Sequence, residues 1–349
     1  MSATDSTTTT QRRTTKTLQL ALFGSAIAWS ISSSLLASSS ARGITNRFNI
    51  DAATLLLASL FFLFLLAVGF SLLQTISRRP ASARFVLGLP KRPTASREWL
   101  TGAAIGWGMV VLALLPMALT GSLHVTFWTE PRAFRLLALN LAAIAAGSLA
   151  EEVVFRGYPF RCLIEAIGPV GATFGMSLLF GLARALQNGT TRTGIFIAML
   201  SGVVFSIAWL RTHGLWLGWG MHFAWTASMG VLFGLPVHGM LDYSTLIQTT
   251  TTGRASLTGG EYGPEGAILT SLALLIGLIA VVRITRDYAW HYTHPVIVPG
   301  GYPMDVAPPP AHTAMEQAQQ AQPPALVQIL PTTSQNMTQT RSVDTEPKL

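Results

Sequence analysis

Long apolar stretches separated by polar or basic connectors organise the chain. They run from Leu18 to Ala37, Ala52 to Leu73, Trp99 to Leu119, Phe134 to Phe155, Val170 to Leu186, Ile195 to Leu210, Leu215 to Phe233 and Ala267 to Val282. Each comes close to the ~20 residues that a helix rising ~1.5 Å per residue needs to cross ~30 Å of hydrocarbon. The pattern therefore predicts an all-α fold, a polytopic integral membrane bundle of about eight transmembrane helices. The fourth to seventh stretches are shorter and richer in Gly and Ala, as in helices that pack on one another instead of facing lipid. Residues 1–16 read as a disordered polar arm, 17–120 as N-terminal transmembrane helices and 130–283 as a second helical group. Residues 288–349, rich in Pro, Gln and Thr, cannot bury a core and read as a disordered tail.

Composition narrows the class. Charged residues are only 11% of the chain, with 23 basic and 15 acidic, against about 25% in soluble domains. A soluble enzyme, a disordered regulator and a disulfide-stapled domain are all poor fits. The net charge of +8 belongs, in so apolar a chain, to cytoplasmic loops and not to a nucleic-acid surface. One cysteine, Cys162, excludes an internal disulfide and a Cys-based zinc cage. Basic residues flank the N-terminal arm (Arg12, Arg13, Lys16) and follow the second stretch (Arg78, Arg79, Arg84, Lys91, Arg92, Arg97). They recur after the fourth (Arg156, Arg161), sixth (Arg211) and eighth (Arg283, Arg286). Both termini are thus expected on the cytoplasmic side, in a bacterial plasma membrane, with Arg42 and Arg47 the discordant pair. The first stretch also fits a cleaved signal peptide ending near Ala37–Ala41.

Charge inside a bilayer costs at least ~2.5–3.5 kcal/mol per residue, so each intramembrane charge calls for a reason. The densest cluster is Glu151-Glu152-Val-Val-Phe-Arg156. Glu152 and Arg156 are four apart and share a helix face, whereas Glu151 points about 100° away. A carboxylate held clear of that pairing in a low-dielectric site is a candidate general base. The same residues also fit a plain helix exit. Phe180-Gly-Leu-Ala-Arg184 and His222-Phe-Ala-Trp-Thr226 add a cation and an imidazole, each one turn from a partner, on two further helices.

Together these motifs resemble the CAAX protease and bacteriocin-processing family, whose pattern is Glu-Glu-x3-Arg, then Phe-x3-His, then His-x3-Asn. Phe155-Arg156-Gly157-Tyr158, Leu179 to Ala183, Gly202 through Leu-Arg-Thr-His-Gly to Trp225, and the Leu257–Glu265 loop are similar too. The resemblance covers roughly residues 130–283 and implies a glutamate-dependent intramembrane endopeptidase core. It implies that Glu151 activates water with the second motif's residue, and that His222 and the residue at 226 bind the oxyanion. Glu152 and Arg156 would hold the first motif. The implied substrate is a hydrophobic or prenylated peptide reached from the lipid bilayer, with no nucleic-acid partner, no cofactor and no metal. No His-Glu-x-x-His is present, and His222 has no histidine one turn away.

The chain departs from the family pattern at two positions, Arg184 for histidine and Thr226 for asparagine. Arginine stays protonated and cannot exchange a proton at neutral pH, although it can donate hydrogen bonds. Threonine offers one donor where the amide has two. An Arg184–Glu151 ion pair would occupy the glutamate's oxygens and make it a poorer base. Two readings stay open: a protease with altered chemistry, and a degenerate binder, immunity or scaffold protein. A small transporter is a third, disfavoured by the lack of paired repeats. His124, His213 and His238 read as interfacial or loop residues, and Cys162 as an inert small residue.

Overall fold

The computed structural model describes residues 15–76, 82–127, 131–187, 189–240, 243 and 246–285. The expected tail, and the expected arm up to residue 14, lie outside them. The principal helices among the described residues are α1 (Lys16–Phe48), α2 (Thr54–Ile76), α3 (Ala95–Leu119), α4 (Pro131–Arg156), α5 (Tyr158–Ala185), α6 (Arg192–Thr212), α7 (Trp216–Ala227) and α8 (Thr270–Ile284). Strands β1 (Leu123–Phe127) and β2 (Ile247–Thr251) pair antiparallel, Leu123 opposite Thr251. Helix makes up about 79% of the structure, so the helical expectation holds, with one unforeseen two-stranded sheet between distant segments.

Each apolar stretch forms a helix, but the count of spans differs. Among the described residues, five helical stretches are long and apolar enough to cross a membrane: Lys16–Phe48, Asp51–Ile76, Ala95–Leu119, Ala133–Ala185 and Arg192–Thr212. α8 is a shorter apolar helix. α7 has 12 residues and runs into a single wide turn over Ser228–Leu232. α2 carries exposed apolar side chains such as Phe64 and Leu72, whereas half of the apolar window of α6 is buried.

The connector expected at 156–169 is helical. The chain continues through Tyr158–Ile167 and doubles back at Gly168, whose φ of 83° and ψ of 167° suit glycine alone. Pro169 then opens the returning segment. Glu151 lies 17 residues before this turn and Arg184 lies 16 after it. The backbone also leaves helical geometry at Gly157, ψ −130°, and the two side chains meet across the resulting fold, Arg184 donating to Glu151 at 2.6 Å. Phe155 and Phe180, one turn closer to the bend, meet edge to face at 4.9 Å. The charges that made this stretch read as a loop are satisfied inside the protein. Arg156 is fully buried, Arg161 donates to the Val86 carbonyl at 2.9 Å, and Glu165 accepts from Gln19 at 2.9 Å.

α3 and α7 approach through glycines. A Cβ at Gly102 or Gly106 would strike the carbonyl of Leu217 or Met221, so this seam admits only small residues. Around it Met109, Val204, Leu217, Met221 and Leu274 form a buried cluster that ties α3, α6, α7 and α8 together. The described residues of 233–240 and 246–269 pack against one another and the bundle, Thr249 N donating to the Gly234 carbonyl at 2.8 Å and Trp225 Nε1 to Glu265 at 2.7 Å. Irregular backbone at such depth is tolerated where protein covers it or a cavity lies beside it.

Candidate active site

Adjacent Glu151 and Glu152 leave α4 in different directions, and the helix turn gives them different surroundings. The Glu152 side chain is fully buried. Its Oε1 accepts from Arg156 Nη1 at 3.1 Å and lies 2.9 Å from His222 Nδ1. Arg156 also donates from Nη2 to the Gly202 carbonyl at 3.2 Å. Its guanidinium lies 4.8 Å from the Phe180 ring centroid and 5.2 Å from that of Phe205. A buried cation with a carboxylate and aromatic faces around it offsets its lost hydration. Arg156 is therefore the post that binds α4, α5 and α6 together.

His222 is held on two sides. Its Nδ1 faces Glu152, and its ring stacks on Phe205 with centroids 5.2 Å apart and planes 21° apart. That leaves Nε2 pointing toward Glu151, 3.7 Å from Oε2, too long for a hydrogen bond. Arg184 Nη2 donates to Glu151 Oε2 at 2.6 Å, with its guanidinium 5.0 Å from the Phe180 centroid. The ion pair considered from the sequence is thus present in the structure. Glu151 nevertheless keeps 35% of its side chain exposed, because it opens onto cavities. One, about 270 Å3, is bordered by Glu151, Arg184, His222, Thr226, His238 and Ser34. Another, about 280 Å3, runs along Glu151, Phe155, Phe180, Ser30 and Leu35. Thr226 lies one turn beyond His222 on the first of these walls.

The structure therefore brings Glu151, Glu152, Arg156, Arg184, His222 and Thr226 into one neighbourhood. It also brings in two residues that sequence reasoning left outside. Glu265 is buried and accepts from Trp225 Nε1 at 2.7 Å and from the His238 backbone N–H at 3.0 Å. His238, read as a loop histidine, does lie in a loop, but that loop dips into the site. Gly263 makes the approach possible: its φ is 93°, and a Cβ there would strike the Pro236 carbonyl. The available signal was a glutamate in a Gly-rich turn just before an apolar helix, with no basic residue beside it. His213 instead caps α6, and His124 lies on β1. Cys162 is buried.

Glu265 lies outside the spanning helices and is strongly perturbed. Burial alone would raise its carboxyl, but the charge and hydrogen bond of His238, helped by Arg184 and Trp225, outweigh it and hold the group down at about 2. It stays ionised at neutral pH. Among the described residues, no group of three or more His, Cys, Asp or Glu side chains is arranged to hold a metal ion.

Residues 132–228 match the family described as Rce1-like, type II CAAX prenyl endopeptidase. The match spans less than a third of the chain and contains all three motifs. It bears out the family resemblance and, with the apolar helices, supports a membrane protein of the intramembrane protease kind. No curated protein and no solved structure matches the chain.

Proposed function

We propose, on the premise that residues 132–228 are of the Rce1-like CAAX prenyl endopeptidase family, that this protein is an intramembrane endopeptidase. It cleaves a hydrophobic or prenylated peptide with water activated at Glu151. The observation that carries this reading is a carboxylate open to a cavity inside an apolar bundle, with His222 Nε2 and the Arg184 guanidinium beside it.

The chemistry follows from the donors and acceptors present. Glu151 Oε2 is taken by Arg184, and Oε1 is the oxygen left to accept a proton from water. As the water oxygen bonds to the scissile carbonyl carbon, negative charge builds on the carbonyl oxygen. Arg184, the Thr226 hydroxyl and His222 would donate to it. When the tetrahedral species collapses the C–N bond breaks, and the amine leaves with the proton taken from water. Glu152 and Arg156 take no part in the bond changes; they fix His222 and the helices. The apolar cavity along Phe155, Phe180 and Leu35 suits an isoprenoid or aliphatic side chain. The orientation proposed has both termini cytoplasmic, in a bacterial plasma membrane. It is supported by Arg84, Arg92, Arg161 and Arg211, which gather at the bundle end where Arg92 donates to the Thr212 carbonyl.

One observation favours a second reading. The 2.6 Å Arg184–Glu151 pair is also what a clamp between α4 and α5 would look like in a binder that has lost cleavage. Purified protein in liposomes, given a farnesylated CAAX-type peptide, separates the two. Cleavage by wild type but not by Glu151→Ala supports the endopeptidase. Cleavage only by Arg184→His/Thr226→Asn supports a protease silenced at those positions.

A further inference from the structure

Arg184 deprives the site of one histidine, yet the structure supplies another from a different part of the chain. His238 sits in a tight turn closed by Val237 and Met240, whose backbones pair at 3.0 and 2.9 Å. Its φ of 52° is left-handed, a conformation that a non-glycine residue keeps only when its surroundings enforce it. The enforcing group is Glu265. One carboxylate oxygen receives the His238 backbone N–H at 3.0 Å and lies 2.5 Å from His238 Nδ1. The other oxygen receives Trp225 Nε1 at 2.7 Å. A carboxylate on Nδ1 fixes the ring and leaves Nε2 as the nitrogen that exchanges protons. The ring borders the cavity that holds Glu151, His222 and Thr226, and also the narrower one between Phe205, Arg184 and Tyr262. Glu265, held ionised against its burial by His238, Arg184 and Trp225, orients the ring and is not itself a proton source at neutral pH.

We propose that His238 is a catalytic proton carrier of this site, oriented by Glu265, and that it stands in for the histidine that Arg184 has replaced. The proposal rests on the endopeptidase reading above. In the forward step water loses a proton, by way of Glu151, to His238 Nε2 as its oxygen bonds to the carbonyl carbon. As the C–N bond breaks, Nε2 delivers that proton to the leaving amine, so one peptide bond and one water are consumed with no redox change. Among the described residues, the charged and titratable groups around the ring are Glu265, Arg184, Glu151, His222, Tyr243 and Tyr262. Glu265 is a positioning residue.

His238→Gly is the informative variant, because glycine accepts the left-handed backbone at no steric cost and leaves space for a small azole. In liposomes with a farnesylated peptide, kcat should fall roughly 10²–10⁴-fold with KM little changed. Added imidazole should restore at least about tenfold, in proportion to the basicity of the azole. Glu265→Gln should lower kcat less and shift its pH profile. A kcat close to wild type, or a loss that no azole restores, would overturn the proposal. A wild type that cleaves nothing while Arg184→His/Thr226→Asn cleaves would also overturn it, since His238 would then have replaced nothing. Should neither form cleave, the endopeptidase reading falls by itself. Diethylpyrocarbonate labelling of the intact protein still decides the placement: His238 modified, and protected by the bound peptide, supports it, and an unmodified or unprotected His238 overturns it.

Discussion

Removing the Arg156 cation should destabilise the protein more than any surface change. In Arg156→Met the stem length is kept, so the loss is chiefly electrostatic. Glu152 would keep only His222 as a partner for Oε1, and its buried Oε2 has no hydrogen-bond partner among the described residues. Stripping one member from a fully buried ion pair typically costs ~3–5 kcal/mol. Losing the contacts over Phe180 and Phe205 adds roughly 0.5–2 kcal/mol. At about 2–4 °C per kcal/mol, the combined loss should lower the apparent Tm in lipid nanodiscs by about 7–28 °C. The control is Glu152→Gln/Arg156→Met, which removes both charges and should recover a large part of that loss. An Arg156→Met protein melting within about 2 °C of wild type would refute the reasoning. So would a double variant whose loss equals the sum of the two single losses, because no pairing energy would then exist.

Other outcomes follow from the same geometry. Glu265, held at about 2 against an ordinary 4.5, contributes roughly 3 kcal/mol. A depressed carboxyl stabilises above its ordinary value, and that contribution is lost as pH falls from about 4.5 toward 2. Melting temperature should therefore decline between pH 5 and pH 3 in wild type more than in Glu265→Gln, and equal declines would contradict the pairing. Gly263→Ala forces a left-handed backbone and a clash with the Pro236 carbonyl, a cost of about 1–3 kcal/mol. Limited proteolysis near residues 234–240 should accelerate in that variant, whereas unchanged cleavage would mean that the segment tolerates a Cβ. Gly106→Val sets a branched side chain against the Met221 carbonyl and should part α3 from α7, measurable as a lower Tm than that of a Gly108→Val control, where a Cβ meets open space.

Local pattern carried the helices well, because a run of apolar residues near 20 long leaves little choice of structure in a bilayer. It failed where charges found partners far along the chain. Arg156, Arg161 and Glu165 read as a connector, yet Gly202, Val86 and Gln19 satisfy them, and the true turn lies at Gly168 and Pro169. α1 likewise runs on to Phe48 through a Ser-rich stretch expected to leave the membrane near Ala37. The three motifs were legible because each repeats every helical turn, so residues four apart share a face. His238 was not, since it reaches the site through a glycine-dependent loop and a contact with Glu265 27 residues away. No periodicity encodes such a contact.

The most direct test is the rate at which the purified protein in liposomes hydrolyses a farnesylated CAAX-type peptide, for wild type and Glu151→Gln matched in folding and orientation. Glutamine keeps the shape and a hydrogen bond to Arg184 but cannot take a proton from water. The wild type should cleave one peptide bond, and Glu151→Gln should be slower by roughly 10²–10⁴-fold. Equal rates in the two proteins would contradict a water activated at Glu151, and with it the function proposed for this bundle.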